Sequence, residues 1–160
     1  MLYAKWIMAN PYTDKVFYID GYCNKKINVY NNYENLKAKK CENIIELPHE
    51  VSVSYSVIHK GYFYYFKYMT NNINKYDINE KKILMNKNIL PDAILENQTD
   101  CWGGYNDINL ISDDNNLYAV YASNNSNKRI SIALLDENNL NVIKTWKLIL
   151  LRKNNVELFL

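Results

Sequence analysis

Three stretches of this 160-residue chain are worded alike, and a recurring unit constrains a fold more than any single motif does. VFYIDG, YFYYFK and LYAVYA begin at Val16, Tyr62 and Leu117, and each is an aromatic-rich apolar run of strand length. A polar, Asn-rich gap follows each one. A second run then begins at Ile27 (INVYNNYENLK), Ile73 (INKYDINEKKI) and Ile130 (ISIALLDENNLNVI). The first runs start about 46 and about 55 residues apart, a period that suits one blade of a β-propeller. A unit of two to four strands cannot bury both of its faces alone, so such units must stack on one another. Hairpins at this spacing could also build a β-sandwich, and that alternative stays open on periodicity alone.

Composition supports strands. Fifteen tyrosines stand against four phenylalanines, and aromatic and β-branched residues suit a pleated surface. Helical periodicity is weak, and YNNYENLKAKKCENIIE offers at most one or two turns. YFYYFKY, Tyr62 to Tyr68, alternates poorly and reads as a strand buried on both faces rather than a base-stacking platform. NKK at Asn24 to Lys26 and EKK at Glu80 to Lys82 read as solvated turns. After VIKTW, the run KLILLRKNNVELFL carries no turn to close it. Three blades with open edges expose pairing groups, so the chain is expected to be part of a domain. On this expectation residues 1–146 would form its N-terminal part and residues 147–160 a truncated or divergent continuation, as an incomplete gene product would have.

Charge narrows the partners. A net charge of +2 argues against a basic nucleic-acid groove. No apolar stretch reaches the roughly 18–20 residues that span a bilayer. The opening MLYAKWIMANP does not read as a signal peptide, because Lys5 interrupts the apolar run. Cys23, Cys41 and Cys101 are an odd set without a CxxC pair, which leaves free thiols or one disulfide with a leftover thiol.

Chemical motifs are sparse. P-loop, G-x-G-x-x-G, H-E-x-x-H and G-x-S-x-G patterns are all missing from the sequence. His49 and His59 read as surface histidines, and no catalytic residue is assigned. The acidic stretch from Asp107 to Asp114 offers oxygens from Asp107, Asn109, Asp113 and Asp114, yet it fails the EF-hand pattern, with Ser112 at the sixth position instead of glycine. As a strand, NDINLI places Ile108 and Leu110 on one face and Asp107 and Asn109 on the other. SDDNN, Ser112 to Asn116, reads as a hairpin turn, and WGG, Trp102 to Gly104, as a sharp corner packed by its indole. Two sequons, at Asn97 and Asn124, fall in expected loops.

Several segments, in order, resemble the olfactomedin domain family. AKWIMANPYTDKVFYIDG is similar to the family's opening, and ELPHEVSVSYSVIHKGYFYYFKY with INKYDINEKKI to its next strands. LPDAIL matches a Leu-Pro-Gly-Ala turn. WGGYNDINLISDDNNLYAVYA is similar to the family's W-G-G-x-T-D-I-D-L segment, and ISIALLDENNLNVIKTW to the strand pair that follows. The matches run from Trp6 to Trp146. The resemblance implies an all-β fold, about the first three blades of a five-bladed β-propeller. It also implies a secreted or membrane-tethered extracellular glycoprotein. Its role would be non-catalytic: binding other extracellular or cell-surface proteins in adhesion, matrix organisation or receptor signalling. Which residues bind the partner is unknown from the sequence, and no cofactor is assigned.

The departures are specific. Many family members hold calcium in a central channel, with the second Asp of T-D-I-D as a ligand. That position is Asn109 here, beside Asp107, so calcium is an expectation for a complete domain only. The cysteines of the family's domain-closing disulfide do not appear, and Cys101 is not one of them. Cys23 and Cys41 match no family bond. Two other readings remain: a sugar-binding or carbohydrate-active propeller, which clustered channel carboxylates would favour although Asp107 stands nearly alone, and a non-functional gene fragment.

Overall fold

The computed structural model describes residues 5–9, 13–21, 23–52, 56–67, 70, 72–94, 108–126 and 129–151. They form three four-stranded antiparallel sheets, each a meander in chain order. The first sheet holds β1 (Lys5–Ala9), β2 (Val16–Asp20), β3 (Cys23–Tyr30) and β4 (Asn43–Ser52). β5 (Val57–His59), β6 (Tyr62–Phe66), β7 (Asn72–Asp77) and β8 (Lys82–Asn88) make the second. The third contains β9 (Ile108–Ser112), β10 (Leu117–Ser123), β11 (Arg129–Leu135) and β12 (Val142–Leu151). The first strands of successive sheets approach one another, β1 near β5 and β5 near β9, which marks them as the hub. The sheets are propeller blades.

The repeated sequence runs are the second and third strands of each blade. These strands are flanked by partners on both edges, and most of their positions are buried or half-buried, so apolar wording results. The middle blade shows the consequence at single-residue resolution. Along β6, Phe63 and Tyr65 enter one core with Phe17, Ile19, Ile27, Val29 and Tyr76. Their neighbours Tyr64 and Phe66 enter a second core with Ile73, Leu110, Leu117 and Ala119. These four of the five β6 aromatics are at most 5% exposed, and Tyr62 is half-buried. A strand has period two, so one aromatic run stitches its blade to both neighbours. Each such side chain brings roughly 1.5–3 kcal/mol of burial. A two-layer sandwich would cover only one face of this sheet, and three sheets sharing two cores exclude it.

Turn chemistry sets the registers. His59 pairs with Tyr62, so Lys60 and Gly61 form a two-residue loop. Both have positive φ, 48° and 82°, as a type I′ hairpin requires. The β7–β8 and β11–β12 turns are built alike. Asp77 accepts from the Asn79 N–H at 2.9 Å and Asp136 from the Asn138 N–H at 2.8 Å. Four residues after each Asp comes a left-handed residue, Lys81 (φ 53°) or Leu140 (φ 58°). Ile78 and Glu137 therefore occupy equivalent places. One short helix, α1 (Tyr33–Lys37), lies between β3 and β4, and Asn32 caps it by accepting from the Asn35 N–H at 2.9 Å. One expectation needs correcting: Asn24 to Lys26 lie within β3 at a bulge, not in a turn. There Asn24 Oδ1 accepts from the N–H groups of Lys25 and Lys26. The residues stay solvated, and the bulge explains why they read as a turn.

Candidate functional site

Asn109 lies on β9 at the hub, half-buried, between the buried Ile108 and Leu110. It pairs with Val120 of β10. The expected alternation holds over these residues, while Asp107 lies outside the described residues, as do Trp102 to Gly104, Asn97 and Cys101. Among the described residues no three His, Cys, Asp or Glu side chains stand close enough to hold a metal ion. The described donors, a neutral amide on Asn109 and turn aspartates, do not fit a calcium site, which takes several carboxylates. Asp113 is committed elsewhere: it accepts from the N–H groups of Asn115 (2.8 Å) and Asn116 (2.7 Å) and from the Tyr118 hydroxyl (3.0 Å). These bonds, the Asn115 N–H first, pull its carboxyl down to about 2. SDDNN is the hairpin turn expected of it.

Asn124 begins a single 3-10 turn, Asn124–Ser126, and its side chain is exposed. Its backbone N–H donates to the Asp92 carbonyl at 2.8 Å, and the Ser123 hydroxyl donates to Asp92 Oδ2 at 2.5 Å. The turn is thus pinned to the LPDAIL crossover and points outward. Cys41 is an exposed free thiol.

The histidines depart from expectation. His49 is half-buried and its Nε2 lies 3.2 Å from the Tyr65 hydroxyl. Burial, then Lys67, lowers its pKa. His59 is 1% exposed. It is not a surface residue: the I′ hairpin turns its ring inward at the junction of the second and third blades, where Glu137 Oε2 lies 3.0 Å from Nε2.

Glu137 is the centre of that junction. Lys60 Nζ donates to its carboxylate at 2.9 Å, and Lys75 Nζ donates to its backbone carbonyl at 2.7 Å. The Lys60 hydrogen bond, ahead of the one from His59, holds the Glu137 carboxyl below the usual range. Lys75 is 7% exposed, with Nζ 4.2 Å from the Tyr62 ring centroid. Burial lowers its pKa, against the pull of Glu137. Lys87 adds a further tie, reaching the Asn139 carbonyl at 3.3 Å and the Asn141 side chain. Sequence reasoning missed this cluster. Its one visible signal is Lys75, a charge inside a run that is otherwise a covered strand.

The junction of the first and second blades is built differently. A groove of about 800 Å³ opens there on the side of the β5–β6 and β7–β8 turns, with Ile78 at its wall. Lys15, Lys60 and Lys81 line it together with one acid, Glu42. Lys15 and Glu42 are 3.7 Å apart and each about half exposed, a pair of little strength in water. Phe17 beneath is only 2% exposed, so the groove ends on a closed core.

The sequence profile of the olfactomedin-like domain matches residues 2–160. Among solved structures, apo AztD from Citrobacter koseri is similar in fold, with a TM-score of 0.55 and 13% identity, over 89% of this chain and 34% of that one. A second crystal structure of Citrobacter koseri AztD gives a TM-score of 0.56 at 13% identity, over 87% and 33%. This chain spans about a third of the length of those structures. At that identity the likeness is one of architecture.

Proposed function

Because the chain belongs to the olfactomedin-like domain family, we propose that it is a non-catalytic module that binds other proteins outside the cell. The match across residues 2–160 carries this reading. Physical features support it. Packed sheets hold short turns at their ends, and such turns are where folds of this kind place recognition. Exposed Asn124 offers a glycan acceptor in a secreted protein. No helix among the described residues is long and apolar enough to cross a membrane.

The test is direct. The chain, fluorescently labelled, should bind intact animal cells or deposited matrix saturably, and prior trypsin treatment of the cells should abolish the signal. Binding that survives trypsin but disappears after glycosidase treatment would shift the assignment to a sugar-binding propeller. Expression through a secretory pathway should add a glycan that an N-glycan amidase removes, and Asn124→Gln should lose that mass. An unchanged mass spectrum would remove Asn124 from the reading.

A further inference from the structure

Resting on the interaction-module reading, we propose that the groove between the first and second blades docks an acidic segment of the partner protein. The molecule supplies its own precedent one junction away. There the β11–β12 turn places Glu137 between blades, against Lys60, and lysine and histidine meet a carboxylate from the chain itself. The equivalent turn at the first junction carries Ile78 in that place. Lys15, Lys60 and Lys81 reach the groove from three separate connections, and Glu42 is the single acid lining it. Lys60 is occupied by Glu137, which leaves Lys15 and Lys81 as the cations a segment would meet. The 3.7 Å Lys15–Glu42 pair is long and wet, so re-pairing Lys15 costs little.

The floor limits how deep a segment can insert. Phe17, Val29 and Ile45 line the groove yet are 2–4% exposed. Above this floor the groove presents the Ile78 side chain and the apolar stems of its lysines. A chain with carboxylates on either side of an aliphatic centre matches both the wall and the rim. Recognition is then led by charge and weakens with salt.

The probe is a capped hexapeptide with a Leu-Leu centre and two Glu on each side. Its control carries Gln in place of every Glu. Amide NMR titration of the full chain should shift Gly61, Ile78 and Lys81, with the Gln peptide about tenfold weaker, as two screened ion pairs allow. Lys15→Gln with Lys81→Asn should weaken the acidic peptide to the same degree. Asn suits the left-handed φ of 53° at position 81. Lys144→Gln on β12 should change nothing. Equal binding of both peptides, shifts elsewhere, or indifference to the double variant overturns the proposal. Cell binding by the unaltered chain, measured on the same preparation, separates the two readings. Retained cell binding without peptide binding rejects the groove alone, and loss of both rejects the two together.

Discussion

The two blade junctions share one strand and one turn design but solve the same packing problem with different chemistry. At the first, Phe63 and Tyr65 stack at 4.9 Å between ring centroids inside an aliphatic cluster, and the turn residue is Ile78. The second surrounds Tyr64 and Phe66 with smaller residues, Ala119 and Ala133 among them, and closes with Glu137, His59, Lys60 and Lys75. The difference teaches that an apolar junction tolerates an open groove at its end, because its strength lies deeper. A polar junction must be plugged, because buried His59 and Lys75 need partners.

Breaking the apolar side should have the largest effect. Phe63 is 0% exposed, so Phe63→Ala should cost about 3–5 kcal/mol of stability, read as a lowered urea midpoint. A loss below 1 kcal/mol would show that the first junction is not the stronger one.

Breaking the polar side should cost less. Glu137→Ala removes the acceptor of both His59 Nε2 and Lys60 Nζ, and leaving such groups unpaired costs about 1–3 kcal/mol. The lower half of that range is expected, because the Glu137 side chain is 32% exposed and water can re-enter. Lys75→Met alongside it should recover part of the loss, since a buried ammonium is then gone. If the double variant is no better than Glu137→Ala, Lys75 is not strained by its burial.

Acid should separate the junctions without any mutation. The Glu137 carboxyl is held below its ordinary 4.5 in the folded chain. Such a group stabilises the fold above its unfolded pKa, and the contribution fades as pH falls through the lower, folded value. Protection of the β10 and β11 amides, after allowance for the pH dependence of intrinsic exchange, should therefore fall below about pH 4 before that of β2 and β3 does. Simultaneous loosening would place the acid sensitivity elsewhere.

The strand repeat was legible because the inner strands of each blade are buried over most of their length and draw apolar and aromatic residues, and that made the second and third strands stand out. The first and fourth strands were quieter. β8 alternates half-buried and exposed residues, and edge positions such as Glu46 and Pro48 in β4 answer to solvent. The SDDNN hairpin and the α1 cap were legible for a local reason: Asp and Asn bond their own backbone wherever the chain turns. His59 was misread because the HKG tripeptide advertises a tight turn but not which way the residue before it points. Its partner is 78 residues away in sequence. No local pattern encodes a contact of that separation, and the same holds for Lys75 and the groove lysines. Asn109 was placed correctly on its strand face, between buried Ile108 and Leu110.

The finest test of the comparison uses two adjacent tyrosines. Tyr64 and Tyr65 are both 0% exposed and burial raises the pKa of both, but they point into opposite junctions. Tyr65 Oη lies 3.2 Å from His49 Nε2, whereas Tyr64 Oη is buried without a partner among the described residues. Removing a hydroxyl that is bonded forfeits that bond and strands its partner. Removing one that is unpaired relieves a desolvation penalty. Tyr65→Phe should thus lower stability by about 0.5–1.5 kcal/mol, while Tyr64→Phe should leave it unchanged or raise it by up to about 1 kcal/mol. Ring volume is kept in both, so cavity formation does not blur the result. Paired urea curves at neutral pH would decide it. Equal losses in the two variants would mean that Tyr64 Oη has a partner, and the contrast between an open apolar junction and a plugged polar one would then rest on Glu137 and its cations alone.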